Sequence, residues 1–173
     1  FVRYWVQEDG TFADLFMSSI TTTQSPLVAS VYEIDPASDT EPLRTFPQQE
    51  RVGLLGRAAL HITGTHESSP IHFGAKVQKR ILCNPIPTPD ASLQDMITPP
   101  TPDASLTQRE QIENLTNQGQ CASCHSKINP LGFAAQNIDA FGRFTEVEEV
   151  FDDEGNKLAT HFLDTQVENT ELF

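Results

Sequence analysis

The sequence predicts a mainly α-helical fold with a proline-rich extended arm and a small C-terminal β-hairpin. Three observations carry this expectation. Apolar residues recur at helical spacing in several short runs, PTPDASL occurs twice within a proline-rich stretch, and two strand-like segments near the end flank the turn-forming DDEGNK. The expected organisation is a helical N-terminal region over 1–84, an arm or linker over 85–106, and a final region over 107–173.

Taken in order, FVRYWVQEDGTFADLFMSSI places Val2, Trp5, Val6, Phe12, Leu15 and Phe16 at helical spacing, and Gly10 interrupts them. Two short helices are expected, with Met17 in the core. Residues 21–50 are rich in Thr, Ser, Pro and Asp and read as loop, although LVASVYEI inside them suits a helix or a strand equally. VGLLGRAAL over 52–60 predicts a buried helix. IHFGAKVQKRILC over 71–83 predicts another, with Ile71, Ala75, Val77, Ile81 and Leu82 inward and Lys76, Lys79 and Arg80 outward. Cys83 at its end reads as a small buried hydrophobe.

The PTPDASL repeat, at 87–93 and 100–106, has a 13-residue period but occurs only twice, which excludes a solenoid. Proline fixes φ and removes donors, so the stretch is read as an extended arm. Thr107 with Glu110 forms a capping box that opens a helix, and Gly119 ends it. Beyond the cysteines, NPLG reads as a turn and FAAQNIDAFG as a helix. FTEVEEVF and LATHFLDTQV then read as the strands of the hairpin.

A chain of 173 residues suits one domain, or one domain with an arm. Its formal charge of −13 argues against nucleic acid and anionic membrane surfaces, and would steer a basic partner toward it. No apolar run approaches the ~20 residues of a membrane-spanning helix. The chain begins at Phe1 without an initiator methionine, so a processed product or part of something longer is expected.

The chemistry concentrates in CASCHSKINPLGF, residues 121–133. Cys-x-x-Cys-His is the attachment pattern of c-type haem. Two cysteines three residues apart lie on one side of a helical turn, so both sulfurs can form thioethers to the haem vinyl groups, and the adjacent histidine ligates the iron. A zinc site would need two further ligands, and no second paired half-site is visible. A thioredoxin-like redox pair would want a βαβ context, and none is apparent. Haem leads these readings.

CASCHSKINPLGFAAQNIDAFGRF resembles the signature of the planctomycete-type cytochrome c domains, found in large exported bacterial proteins of largely unknown function. Upstream, SSPIHFGAKVQKRILCNPIPTP is similar to the segment that precedes the motif in that family, except that Phe73 stands where the family usually has arginine. The resemblance implies a c-type cytochrome-like helical haem domain with one covalently bound haem c. It implies Cys121 and Cys124 as thioether anchors, His125 as proximal ligand, and Pro130 and Leu131 supporting the proximal face. A backbone carbonyl near the Asn129–Pro130 turn would accept the second N–H of the histidine. Phe133, Ile138 and Phe141 are expected to pack on the haem.

No methionine follows residue 125, and Met17 and Met96 lie upstream, so the sixth ligand is open. His66, in a loop, and His161, in the hairpin, are the distal candidates, and bis-histidine ligation would give a low potential. The functional expectation is one-electron transfer in the periplasm, at the cell surface or outside the cell, as part of a larger protein or assembly, with a redox partner protein of basic character. Two readings compete: a peroxidase-like haem enzyme with an open distal site, and a structural polymer that conducts between stacked haems. In the latter, homo-oligomers would form through the proline-rich arm.

Overall fold

Both N-terminal helices form, and each has a visible cause. In a computed structural model, which describes residues 1–62, 69–88, 103–152 and 154–168, they are α1 (Val2–Gln7) and α2 (Phe12–Met17). Thr11 caps α2 by accepting the Asp14 N–H at 3.2 Å, while the Asp14 carboxylate accepts the Thr11 N–H at 2.8 Å. LVASVYEI resolves as helix: α3 (Pro26–Val31) starts on a Ser25 cap with proline in its first turn. The 21–50 stretch also holds an unexpected antiparallel pair, β1 (Ile20–Thr21) with β2 (Arg44–Thr45).

Packing divides the chain into two compact units, Phe1–Ser69 with Ile138–Thr145, and Pro70–Asn137 with Glu146–Phe173. In the first, Tyr32, Phe46 and Ala58 form the core, with Val28, Val31 and Ile34 against them. Met17 is not part of it: its side chain is 71% exposed, because helices of one to two turns present little of their surface to that core. The helix expected over 52–60 is reduced to α4 (Ala58–His61). Gly53 sits at φ +52, where a Cβ would collide with the backbone of Phe16, so the chain turns through residues 51–56. The segment expected to continue as the helix FAAQNIDAFG turns instead. The Asp139 carboxylate accepts the N–H groups of Phe141 and Arg143 at 2.9 and 2.8 Å, and Ile138 bridges to Phe144.

The second unit contains α5 (Pro70–Arg80), α6 (Gln108–Thr116), α7 (Gly119–Phe133) and a hairpin, β3 (Val147–Phe151) with β4 (Lys157–Phe162). The capping box of Thr107 and Glu110 opens α6 as expected. The helices α5 and α7 meet backbone to backbone: a Cβ on Gly74 would strike the Ile128 carbonyl, and one on Gly132 the Pro70 carbonyl. The buried stripe of α5 is Pro70, Phe73, Gly74, Val77 and Gln78, not the one centred on Ile71 and Ile81. Gln78 is fully buried because its amide donates to the Lys127 carbonyl at 3.1 Å and accepts from Asn84 Nδ2 at 3.2 Å. Cys83 is not a buried hydrophobe: α5 stops at Arg80, and Cys83 lies exposed at φ +54.

NPLG is not a turn. The helix α7 runs through Pro130 to Phe133, losing only the bond that a residue-130 N–H would make to the Ser126 carbonyl. Seven helices and two antiparallel strand pairs among the described residues make this a mixed small fold that includes the expected C-terminal hairpin. Among those residues no helix is long and apolar enough to cross a membrane.

Candidate functional site

A tight link separates α6 from α7: Asn117 closes the first, Gln118 opens the second, and Gly119 takes φ +57. Cys121, Cys124 and His125 therefore lie on the first two turns of α7. At 3.6 residues per turn, the three side chains fall within an arc of about 100°. All three are partly exposed, and both cysteines are free thiols. Among the described residues no three His, Cys, Asp or Glu side chains gather as a cage for a single ion. The motif is thus a row of two thiols and an imidazole along one helix face, not a point cluster.

The imidazole is held from one side. His125 Nδ1 lies 2.9 Å from Asn129 Oδ1, Asn129 Nδ2 donates to Thr116 Oγ1 at 2.9 Å, and the Thr116 hydroxyl donates to the Ile112 carbonyl at 2.6 Å. Asn129 and Thr116 are 5% and 7% exposed. The partner of the histidine is therefore the side chain one turn onward, not a backbone carbonyl of a turn as expected. That partner was readable in principle from the i, i+4 spacing of His125 and Asn129 once the helix is known to continue. Thr116 lies on a different helix and left no local signal.

Next to the histidine, an open cleft of about 610 Å³ is lined by Arg109, His125, Asn129, Pro130, Phe133 and Val167, among others. Phe133 is buried, with the Arg109 guanidinium 5.1 Å from its ring centre. Arg109 also donates to the carbonyls of Asp164 and Gln166 at 2.9 Å, and pairs with the carboxylates of Glu113 and Asp164 at 3.2 Å each. It fastens the segment after β4 beside α6, a role its place in TQREQ did not announce. Leu131 is half-buried on α7.

Other expected residues lie elsewhere. His161 Nε2 is 3.0 Å from the Ala104 carbonyl, which can only accept, so that nitrogen carries the hydrogen. His66 lies outside the described residues, as does Met96, with most of the expected arm. Ile138 and Phe141 belong to the first unit, where Ile138 is buried and Phe141 is 52% exposed. Phe73, where arginine was expected from the resemblance, is buried on α5.

These residues fit a covalently held haem in their donor chemistry. Two free thiols stand one turn apart beside an imidazole whose Nδ1 is engaged, leaving Nε2 for a metal. The class of domain is given by residues 51–148, which match a planctomycete cytochrome c-type family domain. The chain belongs to that family, PSCyt3, described as a protein of unknown function (DUF1588). No curated protein and no solved structure matches the chain.

Proposed function

We propose that this chain is a monohaem c-type cytochrome carrying out one-electron transfer outside the cytoplasm, as part of a larger protein or assembly. The observation that carries the reading is the engagement of His125 Nδ1 by Asn129, beside two free thiols on the same helical arc. Cys121 and Cys124 would anchor haem c through thioethers, and His125 would ligate the iron through Nε2. Pro130, Leu131 and Phe133 would support that side of the group. Haem held there supplies a one-electron ferric–ferrous couple.

The protein's own contribution is to orient the imidazole, to hold its second nitrogen, and to keep the surrounding charge negative. The formal charge of −13 supports a basic redox partner. For the distal side, His161 would have to exchange the Ala104 carbonyl for the metal, whereas His66 is the other candidate. Covalent haem attachment takes place outside the bacterial cytoplasm, which supports a periplasmic, surface or extracellular setting.

The test is export of the chain in a host that attaches haem c, followed by acid–acetone extraction and a pyridine haemochrome spectrum. One haem per chain is expected to stay with the protein and to be lost in C121A/C124A. Haem that extracts fully from the unaltered chain overturns the proposal.

A further inference from the structure

We propose that Asn129 and Thr116 are positioning residues that lock His125 in its Nδ1–H tautomer and so set the donor strength of Nε2. Only the consequence for a redox potential rests on the haem reading. The tautomer itself is a property of the haem-free chain.

A count of hydrogens fixes each partner. A carbonyl only accepts, so the short contact between Thr116 Oγ1 and the Ile112 carbonyl, at 2.6 Å, uses the single hydrogen of the hydroxyl. Thr116 Oγ1 must then accept from Asn129, which fixes Nδ2 as the amide atom facing it at 2.9 Å. Oδ1 is left facing His125. An amide oxygen cannot donate, so the hydrogen between them belongs to His125 Nδ1, and in the neutral ring Nε2 keeps its lone pair. Each step has one solution, and the chain of logic starts at a backbone carbonyl that cannot change its role.

Burial gives the relay its force. Asn129 and Thr116 are both nearly inaccessible, so water is a poor substitute for a lost partner. The relay also joins two helices: Thr116 is the last residue of α6, while Asn129 and His125 lie on α7. Asn129 is a neutral acceptor. A carboxylate in its place cannot donate to Thr116, so the Thr116 hydroxyl would turn from the Ile112 carbonyl to donate to it. The carboxylate would then pull harder on the Nδ1 hydrogen, make Nε2 a stronger donor and favour the oxidised metal.

The experiment has a haem-free arm and a haem-loaded arm. In ¹⁵N-labelled haem-free chain, two-bond ¹H–¹⁵N spectra read the tautomer of each imidazole, with H125Q identifying the signals of His125. The Nδ1–H tautomer is expected to dominate in the unaltered chain and in T116S, which keeps the hydroxyl. In T116V the preference should fall about five- to tenfold, the worth of one neutral hydrogen bond. A dominant Nε2–H tautomer in the unaltered chain, or a T116V ratio equal to that of T116S, overturns the proposal.

In haem-loaded chain, N129D should lower the midpoint potential while T116S leaves it in place. An N129D potential equal to that of the unaltered chain also overturns the proposal. If no haem attaches, the functional reading fails and the tautomer spectra still decide the relay. If T116V does not fold, the tautomer of the unaltered chain decides it alone.

Discussion

The first unit buries cations where the second buries amides. Arg51, fully inaccessible, donates to the carbonyls of Gly56 and Gly142 at 3.0 and 2.8 Å, with its guanidinium 5.0 Å from the ring centre of Tyr32. Arg57 donates to the Gly53 carbonyl at 2.9 Å and lies 4.6 Å from the centre of Phe46. Burial lowers the pKa of Arg57 to about 10 and pulls that of Arg51 down as well, yet both stay charged at neutral pH. In the second unit Gln78 and Asn129 are buried instead, as neutral groups that both donate and accept. A guanidinium can only donate, so it staples carbonyls of distant loops. An amide has two different ends, so it can transmit a direction, which is what an oriented imidazole needs.

The comparison breaks first at Arg51. Arg51→Ala removes two hydrogen bonds to buried carbonyls and opens a void beneath Tyr32, and about 3–5 kcal/mol of stability should go with them. Trp5, the only tryptophan, belongs to the same unit, so its fluorescence can follow the denaturant transition. Arg51→Met keeps most of the volume. If Met is as stable as Arg, the cation is not a staple and the contrast between the units fails.

The next effect concerns the crossing of α5 and α7. Gly132→Ala would drive a Cβ into the Pro70 carbonyl, and both partners are backbone, so neither can swing aside. A loss of about 1–3 kcal/mol is expected in thermal melts followed by circular dichroism. A melt unchanged from that of the unaltered chain would mean that the helices need not approach so closely. The second unit would then not depend on glycine contacts to place its amides.

The sequence exposes the motif more fully than the fold. Thr107 with Glu110, Gly10 between two short helices, and the strands around DDEGNK all act through neighbours in sequence, and each produced the expected element. The misreadings share a different origin. VGLLGRAAL has helical composition, but Gly53 sits at φ +52 close against the backbone of Phe16, a contact no local window contains. Asn129–Pro130 looks like a turn, yet α7 tolerates the proline at the cost of one backbone bond and is held against α5 by Gly132 and Gly74. Cys121, Cys124 and His125 could be singled out from their spacing alone. The hydrogen-bond partner of His125 required knowing that the helix continues, and Thr116 required knowing that α6 packs against it.

The smallest expected effect concerns the start of α6, where Glu148 on β3 accepts the Gln108 N–H at 2.7 Å. Burial raises the pKa of this half-buried carboxyl above the usual carboxylate range, although that hydrogen bond and His161 pull the other way and Glu110 adds to the rise. A raised folded-state value means that the folded chain binds the proton more tightly than the unfolded chain. The stability from Glu148 is therefore fully present at low pH and is lost as pH climbs through the raised value. Asp14, Asp103, Glu110 and Asp152 behave in the opposite sense. Hydrogen bonds from Thr11, Ser105, Thr107 and Asn156 hold them low, so their contribution is present above the ordinary carboxylate value near ~4 and is lost on acidification. Glu148→Gln keeps an oxygen for the Gln108 N–H and removes the buried charge. Its melting temperature at pH 7 should exceed that of the unaltered chain by a few degrees at most, and the gap should close as the pH falls toward ~4. A lower melting temperature for Glu148→Gln at pH 7 would show that the attraction of a negative charge for the N-terminus of α6 outweighs the cost of burying it.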